Sequence, residues 1–413
     1  MTTELELPGY TLPDTPEPYD ASPFGINEYI GRLERVQDTM AARGLSALVV
    51  ADPANLYYLT GYNAWSFYTP QCLVVPAQGT PHLFARSMDA QGAHWTAYLE
   101  RDNIHGYPEH YVHRPDIHPM DWITEQALDL GLLLDEHDSL IAVEMDAHYF
   151  SPRGFLALHS HLQQAMVVDS VELVNWVRAV KSPAEQEKMR VAGQIAGRVM
   201  QVALDAIEVG RRQCDVVADI QHAQALGAHQ LGGDYPAIVP MLPTGESAGT
   251  PHLTWSDAPL VRGEPTTIEI AGVHRRYHAP LARTVALGSA HDELARCADA
   301  VTEGLHAALE VMGPGATGRE VHAAFADTIA RHGFYKESRI GYSIGVGYPP
   351  DWGERTISLR AEEQTVLAPG MCFHMIMGMW MEGWGYEMSE SVMVTADGVE
   401  KLTNFPQGLT VKK

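Results

Sequence analysis

Apolar and polar positions follow two periods along this chain, and each change of period marks an element. From Asn27 to about Asp169, short apolar runs alternate with helical segments. A helix is expected over Asn27–Arg43, a strand over Ala47–Val50, and further strands at Gln71–Pro76, Pro81–Phe84 and Ser139–Val143. That alternation predicts an α/β domain. Beyond it, Ser182, Pro183 and Glu185 form a capping box, and Met189, Ala192, Ile195, Val199 and Val202 follow at helical spacing until Gly210 ends the run. A second helix is expected near Asp215, then strands around Ile238, over Thr266–Ala271 and over Ala282–Leu287. The order then recurs. A helix over Ala290–Met312 is broken at Pro314-Gly315, and Thr317 with Glu320 caps another helix running to His332. Strands follow at Cys372–Gly378 and Glu390–Thr395. Helices then strands, twice over, predict two related halves with a cleft between their sheets.

Residues 1–23 are rich in Pro, Asp and Glu and read as a loosely ordered tail. The expected organisation is therefore a tail over 1–23, a first domain over 24–170 and a second over 171–413, with Ser170–Lys181 as the link.

Charge narrows the partners. Acidic residues outnumber basic ones 52 to 28, a formal net charge of −24, which repels phosphate backbones and anionic lipid. Nucleic acid and membrane are excluded as expected partners, and a small cationic or zwitterionic substrate is favoured. No apolar stretch is long enough to span a bilayer, and Met1–Tyr10 lacks a basic region ahead of an apolar run, so a cytoplasmic location is expected. Cys72, Cys214, Cys297 and Cys372 are far apart and form no CxxC pair; reduced thiols are expected, with neither a zinc knuckle nor a disulfide framework. His105, His110, His113 and His118 fit no helix face and are interrupted by prolines, which indicates a polar loop. The methionine-rich run Met371–Met381 reads as core strand packing.

Glu269 is the first candidate for chemistry. In Thr266-Thr267-Ile268-Glu269-Ile270-Ala271, strand alternation puts Ile268 and Ile270 on one face and Thr267 and Glu269 on the other. A carboxylate between two β-branched apolar residues is costly to bury unless it is paired or used. A solvated face or a structural ion pair is the alternative reading of this segment.

With Tyr277-His278-Ala279-Pro280-Leu281-Ala282-Arg283-Thr284, Gly341-Tyr342-Ser343-Ile344-Gly345, Phe373-His374-Met375-Ile376-Met377-Gly378 and Met388-Ser389-Glu390-Ser391, the order of pieces resembles the creatinase/aminopeptidase P/prolidase family over nearly the whole chain. The resemblance implies an α/β creatinase-like N-terminal domain and an α+β pita-bread catalytic domain. In that family's metallopeptidases two Asp, one His and two Glu hold two metal ions. Here those positions carry Glu269, Pro280, Tyr342, Ile376 and Glu390. Pro and Ile offer no side-chain donor, and neutral Tyr is a poor ligand, so no metal cofactor is expected. A single ion on Glu269, Glu390 and a nearby His is the remaining alternative. In place of metal, two carboxylates in one cleft suit the fork of N–H bonds of an amidinium or guanidinium.

A finer resemblance is to the bacterial ectoine hydrolases of that family. It is carried by Gly232-Gly233-Asp234-Tyr235-Pro236, Pro251-His252-Leu253-Thr254-Trp255, Gly347-Tyr348-Pro349-Pro350-Asp351-Trp352-Gly353-Glu354-Arg355, and Leu59-Thr60-Gly61-Tyr62-Asn63-Ala64-Trp65-Ser66-Phe67-Tyr68. It implies water addition to a cyclic amidine, ectoine and its 5-hydroxy form, giving N-acetyl-2,4-diaminobutyrate. Glu269 is then a nucleophile or the group that steadies the amidinium, His252 a proton carrier, and Glu390 a second carboxylate. Trp65, Phe67 and Tyr68 are expected to meet the substrate by cation–π contact, from the partner subunit of a homodimer, or else to be plain packing. Asp234, Tyr235, His278 and Tyr342 are further binding candidates, and Arg283 or Arg355 the partner of a substrate carboxylate. A creatinase-like guanidino hydrolase and a non-catalytic binding module are the competing readings.

Overall fold

The computed structural model describes residues 22–413, so nearly all of the expected tail over 1–23 lies outside the described residues. Helix α1 (Ile26–Ala42) buries Tyr29, Leu33, Val36 and Met40 at helical spacing and leads into β1 (Ala47–Val50). Helix α2 (Pro53–Thr60) starts on Asp52, whose carboxylate accepts the Ala54 N–H at 2.8 Å, and stops at Gly61 with φ 80°. Strands β2 (Cys72–Pro76), β3 (His82–Arg86), β4 (Ile104–Tyr107), β5 (Leu140–Val143) and β6 (Met166–Asp169) complete a mixed sheet of order β4-β3-β2-β1-β5-β6. Helices α3 (Ser87–Thr96), α4 (Pro119–Asp129) and α5 (Pro152–Ser160) help cover it, and separate apolar cores fill its two faces. The short helix α6 (Leu173–Val177) leads out of this domain.

In the C-terminal part, α7 (Pro183–Ala206) opens on the expected reciprocal cap between Ser182 and Glu185 and is followed by α8 (Gln213–Leu226). Strands β7 (Pro265–His274) and β8 (Tyr277–Leu287) form an antiparallel hairpin. Its outer face, with Ile268, Ile270, Leu281 and Val285, packs on Ile195, Val199 and Ile220. Gly272 is required by that packing, since a Cβ there would lie 2.1 Å from the Ala192 carbonyl. The second half repeats the scheme with α9 (Asp292–Val311) and α10 (Gly318–Arg331). These cover β11 (Cys372–Met381) and β12 (Trp384–Thr395) through Met375, Met377, Met388, Leu305 and Phe325, so the methionine run is core as expected. Strands β9 (Gly341–Tyr348), β10 (Asp351–Ser358), β13 (Gly398–Lys401) and β14 (Thr410–Lys412) join both hairpins into one eight-stranded sheet of order β13-β12-β11-β9-β8-β14, with β10 on β9 and β7 on β8.

Two expectations are corrected. The segment at Ile238 is not a strand: Pro236, Pro240 and Pro243 deny it a ladder, and it meets β7 only by bridges from Met241 to Glu269 and from Thr244 to Thr266. Strand β12 begins at Trp384, six residues before Glu390, which brings Glu387 into the sheet.

The two domains meet across a polar and aromatic seam. Glu144 accepts the Ala51 and Asp52 N–H groups and the Asn55 amide; Asn55 bonds Asn175, whose amide donates to the Glu354 carbonyl. Arg178 donates to the Val346 carbonyl, Arg355 pairs with Asp52 at 2.8 Å, and Tyr149 donates to the Pro349 carbonyl. Phe67, Tyr57, Tyr348 and Trp352 fill the space between.

Candidate active site

Register and alternation decide which side chains reach the inner face. Glu269 is paired with Ala282 and shares its face of the hairpin with Thr267, opposite the face that Ile268 and Ile270 bury on α7. Its strand is pinned on the other side as well, where its N–H and C=O both bond Met241. The carboxyl group is buried, and desolvation, helped by the charge of Asp351, pushes its pKa up to about 7.

On β12 the inner face carries Glu387, Ser389 and Ser391, while Met388 and Glu390 point outward towards α9 and its core. Glu387 is buried, and one of its carboxyl oxygens, Oε1, has no hydrogen-bond partner among the described residues. Burial first and the charge of Glu269 second raise its pKa well above the carboxylate range, against the opposing pull of Lys336. Glu269 and Glu387 are thus two buried acids close enough to interact, and the charge of the first favours the proton on the second. Lys336 donates to the Gly378 carbonyl at 2.7 Å and to Ser338 at 2.8 Å, and burial lowers it to about 8.

Beside this pair runs a chain of hydrogen bonds. The Trp352 indole N–H donates to the Tyr342 hydroxyl at 2.8 Å, Tyr342 bonds His374 Nδ1 at 3.0 Å, and His374 Nε2 bonds Ser389 Oγ at 2.8 Å. Ser389 also accepts the Ala282 N–H at 2.7 Å. Burial, with Arg339 adding to it, pushes His374 down to about 3, so the ring is neutral. Burial and the nearby Glu269 charge raise Tyr342 well above the usual phenol value.

Other expected site residues fall in different places. Glu390 was expected in the cleft; instead it is fully buried on the outer face, gripped by Arg283 at 2.7 Å, Thr403 and Gln407. Its neighbours Met388 and Val392 belong to the core under α9, so strand alternation itself turns it away. Arg283 has no donor left for a substrate, for it also serves the carbonyls of Ala282, Ser389, Phe405 and Pro406. Arg355 is spent on Asp52 and the Asp146 carbonyl. His278 uses both ring nitrogens on backbone, accepting from the Ala237 N–H at 2.9 Å and donating to the Arg276 carbonyl at 2.8 Å. Asp234 accepts the Arg276 N–H, and the rings of Tyr235 and Tyr348 lie 3.9 and 4.3 Å from that guanidinium. These residues build a wall. His252 is exposed on the loop after the short turn Gly245–Gly249, with φ 67°, and no hydrogen bond among the described residues links it to Glu269. Trp65 and Tyr68 are 59% and 57% exposed, whereas Phe67 is buried against Tyr149 and Tyr348; Trp65 meets Tyr235 edge-on at 4.8 Å. Glu387, His374, Ser389 and Trp352 complete the inner group without having been singled out as catalytic or binding candidates. The readable signal was the alternation Glu387, Ser389, Ser391.

The donor set does not fit a dinuclear metal centre. Pro280 and Ile376 bring no donor, Glu390 is neutralised by Arg283, and the Tyr342 oxygen already accepts the Trp352 N–H. Among the described residues no group of three or more His, Cys, Asp or Glu side chains is arranged to hold an ion.

Residues 32–180 match the creatinase/prolidase N-terminal domain, and residues 187–396 match metallopeptidase family M24. The chain is 46% identical over 397 residues to the ectoine hydrolase of Halomonas elongata, covering 94% of this chain and 98% of that protein. An uncharacterized hydrolase/peptidase of Sinorhizobium fredii is 40% identical over 392 residues, with 94% and 98% covered. Among solved structures, a prolidase from Thermococcus sibiricus superposes with TM-score 0.80 at 17% identity, covering 94% of this chain and all of that one. Dipeptidase PepE from Mycobacterium ulcerans gives 0.77 at 24%, with 94% and 99% covered. With its creatinase-type first domain and pita-bread second domain, the chain belongs to metallopeptidase family M24, on the creatinase/prolidase branch.

Proposed function

We propose that this chain hydrolyses ectoine, and 5-hydroxyectoine with it, to N-acetyl-2,4-diaminobutyrate in the breakdown of compatible solutes, without a metal ion. The observation that carries the reading is the buried Glu269–Glu387 pair, while the other four metal-ligand positions of the family carry non-donors or groups already bonded. A cationic ring relieves that burial. The amidinium N–H groups meet the Glu269 carboxylate, and protonated Glu387 supplies a neutral partner beside it. The Halomonas relative's name points to the same substrate.

Water supplies oxygen to the amidine carbon, one ring C–N bond breaks, and the ring opens to an amide and an amine. Glu269 acts either as the nucleophile, giving an ester-like intermediate, or as the base that steadies the cation and accepts a proton from attacking water. Single turnover in ¹⁸O-water tests the first route: if water opens the ester at the Glu269 carboxyl carbon, label stays in that carboxylate and the product carries an unlabelled oxygen from it, whereas direct attack puts the label in the product. The proton-carrying role expected of His252 passes to groups within the cleft. The active form is proposed to be a cytoplasmic homodimer, in which exposed Trp65 and Tyr68 reach the second subunit's cleft. Among the described residues, no helix is long and apolar enough to cross a membrane.

The test is to offer purified protein ectoine, 5-hydroxyectoine, creatine and a Xaa-Pro dipeptide, before and after exhaustive chelation, and to follow products by NMR. Turnover of both ectoines, unchanged by chelation, is expected. Loss of activity with the metal and its return on re-addition, or cleavage of the dipeptide or creatine alone, refutes the proposal.

A further inference from the structure

The hydrogen-bond chain behind Glu269 admits two proton arrangements, and counting donors separates them. In the first, His374 carries its proton on Nδ1 and donates to the Tyr342 oxygen, while the Ser389 hydroxyl donates to His374 Nε2. Ser389 then accepts from the Ala282 N–H and donates to the ring, so every polar atom of the Ser389 and His374 side chains is used. The Tyr342 oxygen accepts two N–H bonds, from Trp352 and His374, and its own hydrogen is left for the cleft. In the second, the proton sits on Nε2 and donates to Ser389, which already accepts from Ala282. The Ser389 hydrogen would then be left without an acceptor at a site of zero exposure. A buried donor without a partner costs about 1–3 kcal/mol, so the first arrangement dominates. It also leaves the Tyr342 hydrogen free on a phenol that feels the charges of Glu269 and Asp351, with Arg339 opposing them.

We propose that Tyr342 is the proton donor to the leaving ring nitrogen, and that Ser389 and His374 are positioning residues which fix its hydroxyl hydrogen towards the cleft. The inference rests on the amidine-hydrolase reading. As the C–N bond breaks, its electron pair stays on nitrogen and takes the Tyr342 proton. The phenolate that remains is held by the N–H groups of Trp352 and His374, and it recovers a proton from the water that supplies the oxygen. The bookkeeping of protons is the same whether that water attacks directly or opens an ester on Glu269. Two N–H bonds to one phenol oxygen offset part of what burial and the Glu269 charge cost its anion, so the phenolate is held only while the proton is in transit.

Two measurements test it. Long-range ¹H–¹⁵N spectra of the full-length, histidine-labelled protein report the His374 tautomer without substrate, with the signal assigned by its loss in His374→Gln. The Nδ1–H form is expected in the wild type, with a mixture of forms in Ser389→Ala; a wild-type Nε2–H form overturns the proposal. With ectoine, Tyr342→Phe should lower kcat at least about a hundredfold with KM within about threefold. Ser389→Ala should lower kcat about tenfold alone and have no further effect in the Tyr342→Phe background. Unchanged kcat in Tyr342→Phe, or additive losses in the double variant, overturns it. Should ectoine not be turned over at all, the substrate reading fails and Tyr342 loses its role with it, while the tautomer measurement still reports whether the geometry was read correctly.

Discussion

Replacing Glu269 by Gln should stabilise the protein at pH 8 and much less at pH 5. Burial raises this carboxyl from 4.5 to about 7, so the folded state binds the proton more tightly than the unfolded chain. The sign follows directly: the wild type is favoured in acid, and its stability falls as pH climbs from 4.5 through 7. Integrating between those values, the cost of the charged form is about 1 kcal/mol at pH 5 and about 3 kcal/mol at pH 8. Glu387 is present in both proteins, and its own contribution to the pH dependence largely cancels when the two are compared. The glutamine amide carries no charge, so the variant should gain about 2–3 kcal/mol on the wild type between the two pH values. At roughly 2–4 °C per kcal/mol for a domain of this size, the Tm difference should widen by about 5–10 °C. Thermal unfolding of both proteins, followed by circular dichroism at pH 5, 6, 7 and 8, measures it. The same variant should lose at least about a hundredfold in kcat/KM, and ectoine should raise the Tm of the wild type more than that of the variant. A Tm difference that stays constant with pH, or narrows towards pH 8, would refute the view that Glu269 is held charged at a cost which the substrate relieves.

Glu390→Ala should act through stability and not through chemistry. Removing one member of the buried pair leaves Arg283 uncompensated and should cost about 3–5 kcal/mol in urea unfolding, with kcat per folded molecule within about threefold; a large kcat loss at unchanged stability would return Glu390 to the cleft. Trp65→Ala should raise KM by about 2- to 30-fold at unchanged kcat, in keeping with one cation–π contact of about 0.5–2 kcal/mol. Mixing Trp65→Ala with Glu269→Gln protein should restore part of the normal KM if the aromatic is given across subunits, and should restore nothing if it serves its own cleft.

Both capping boxes and the long apolar stripe of α7 were legible because they are local: Ser182 with Glu185 and Thr317 with Glu320 need only three residues of context. Glu269 was legible for a related reason, since one charge among β-branched residues is anomalous in any strand. The β9–β10 hairpin was not read as strands because glycines thin it. Those glycines answer to distant neighbours: a Cβ at Gly345 would lie 2.4 Å from the Glu354 carboxylate, and one at Gly347 3.0 Å from His278. The start of β12 was missed because Gly385, Glu387 and Ser389 look like a solvated loop, whereas both faces of that strand are buried. The roles of Glu390 and His278 were beyond local reading. Each is decided by partners that the chain brings back from far away, Arg283 and Thr403 in one case and Ala237 in the other.

The contacts between the two domains bear on how a substrate can enter. Glu144, Asn55 and Asn175 are bonded to one another in series, and the last reaches the Glu354 backbone, beside the Arg355–Asp52 pair. Swinging one domain away as a rigid body would strip several dry polar groups together, at about 1–3 kcal/mol for each that water failed to reach. The packing of Phe67 on Tyr149 and Tyr348 across that seam is therefore a fixed dimension of the molecule. Admission of ligand falls to single side chains and short loops, and the architecture behaves as a rigid frame with a small door.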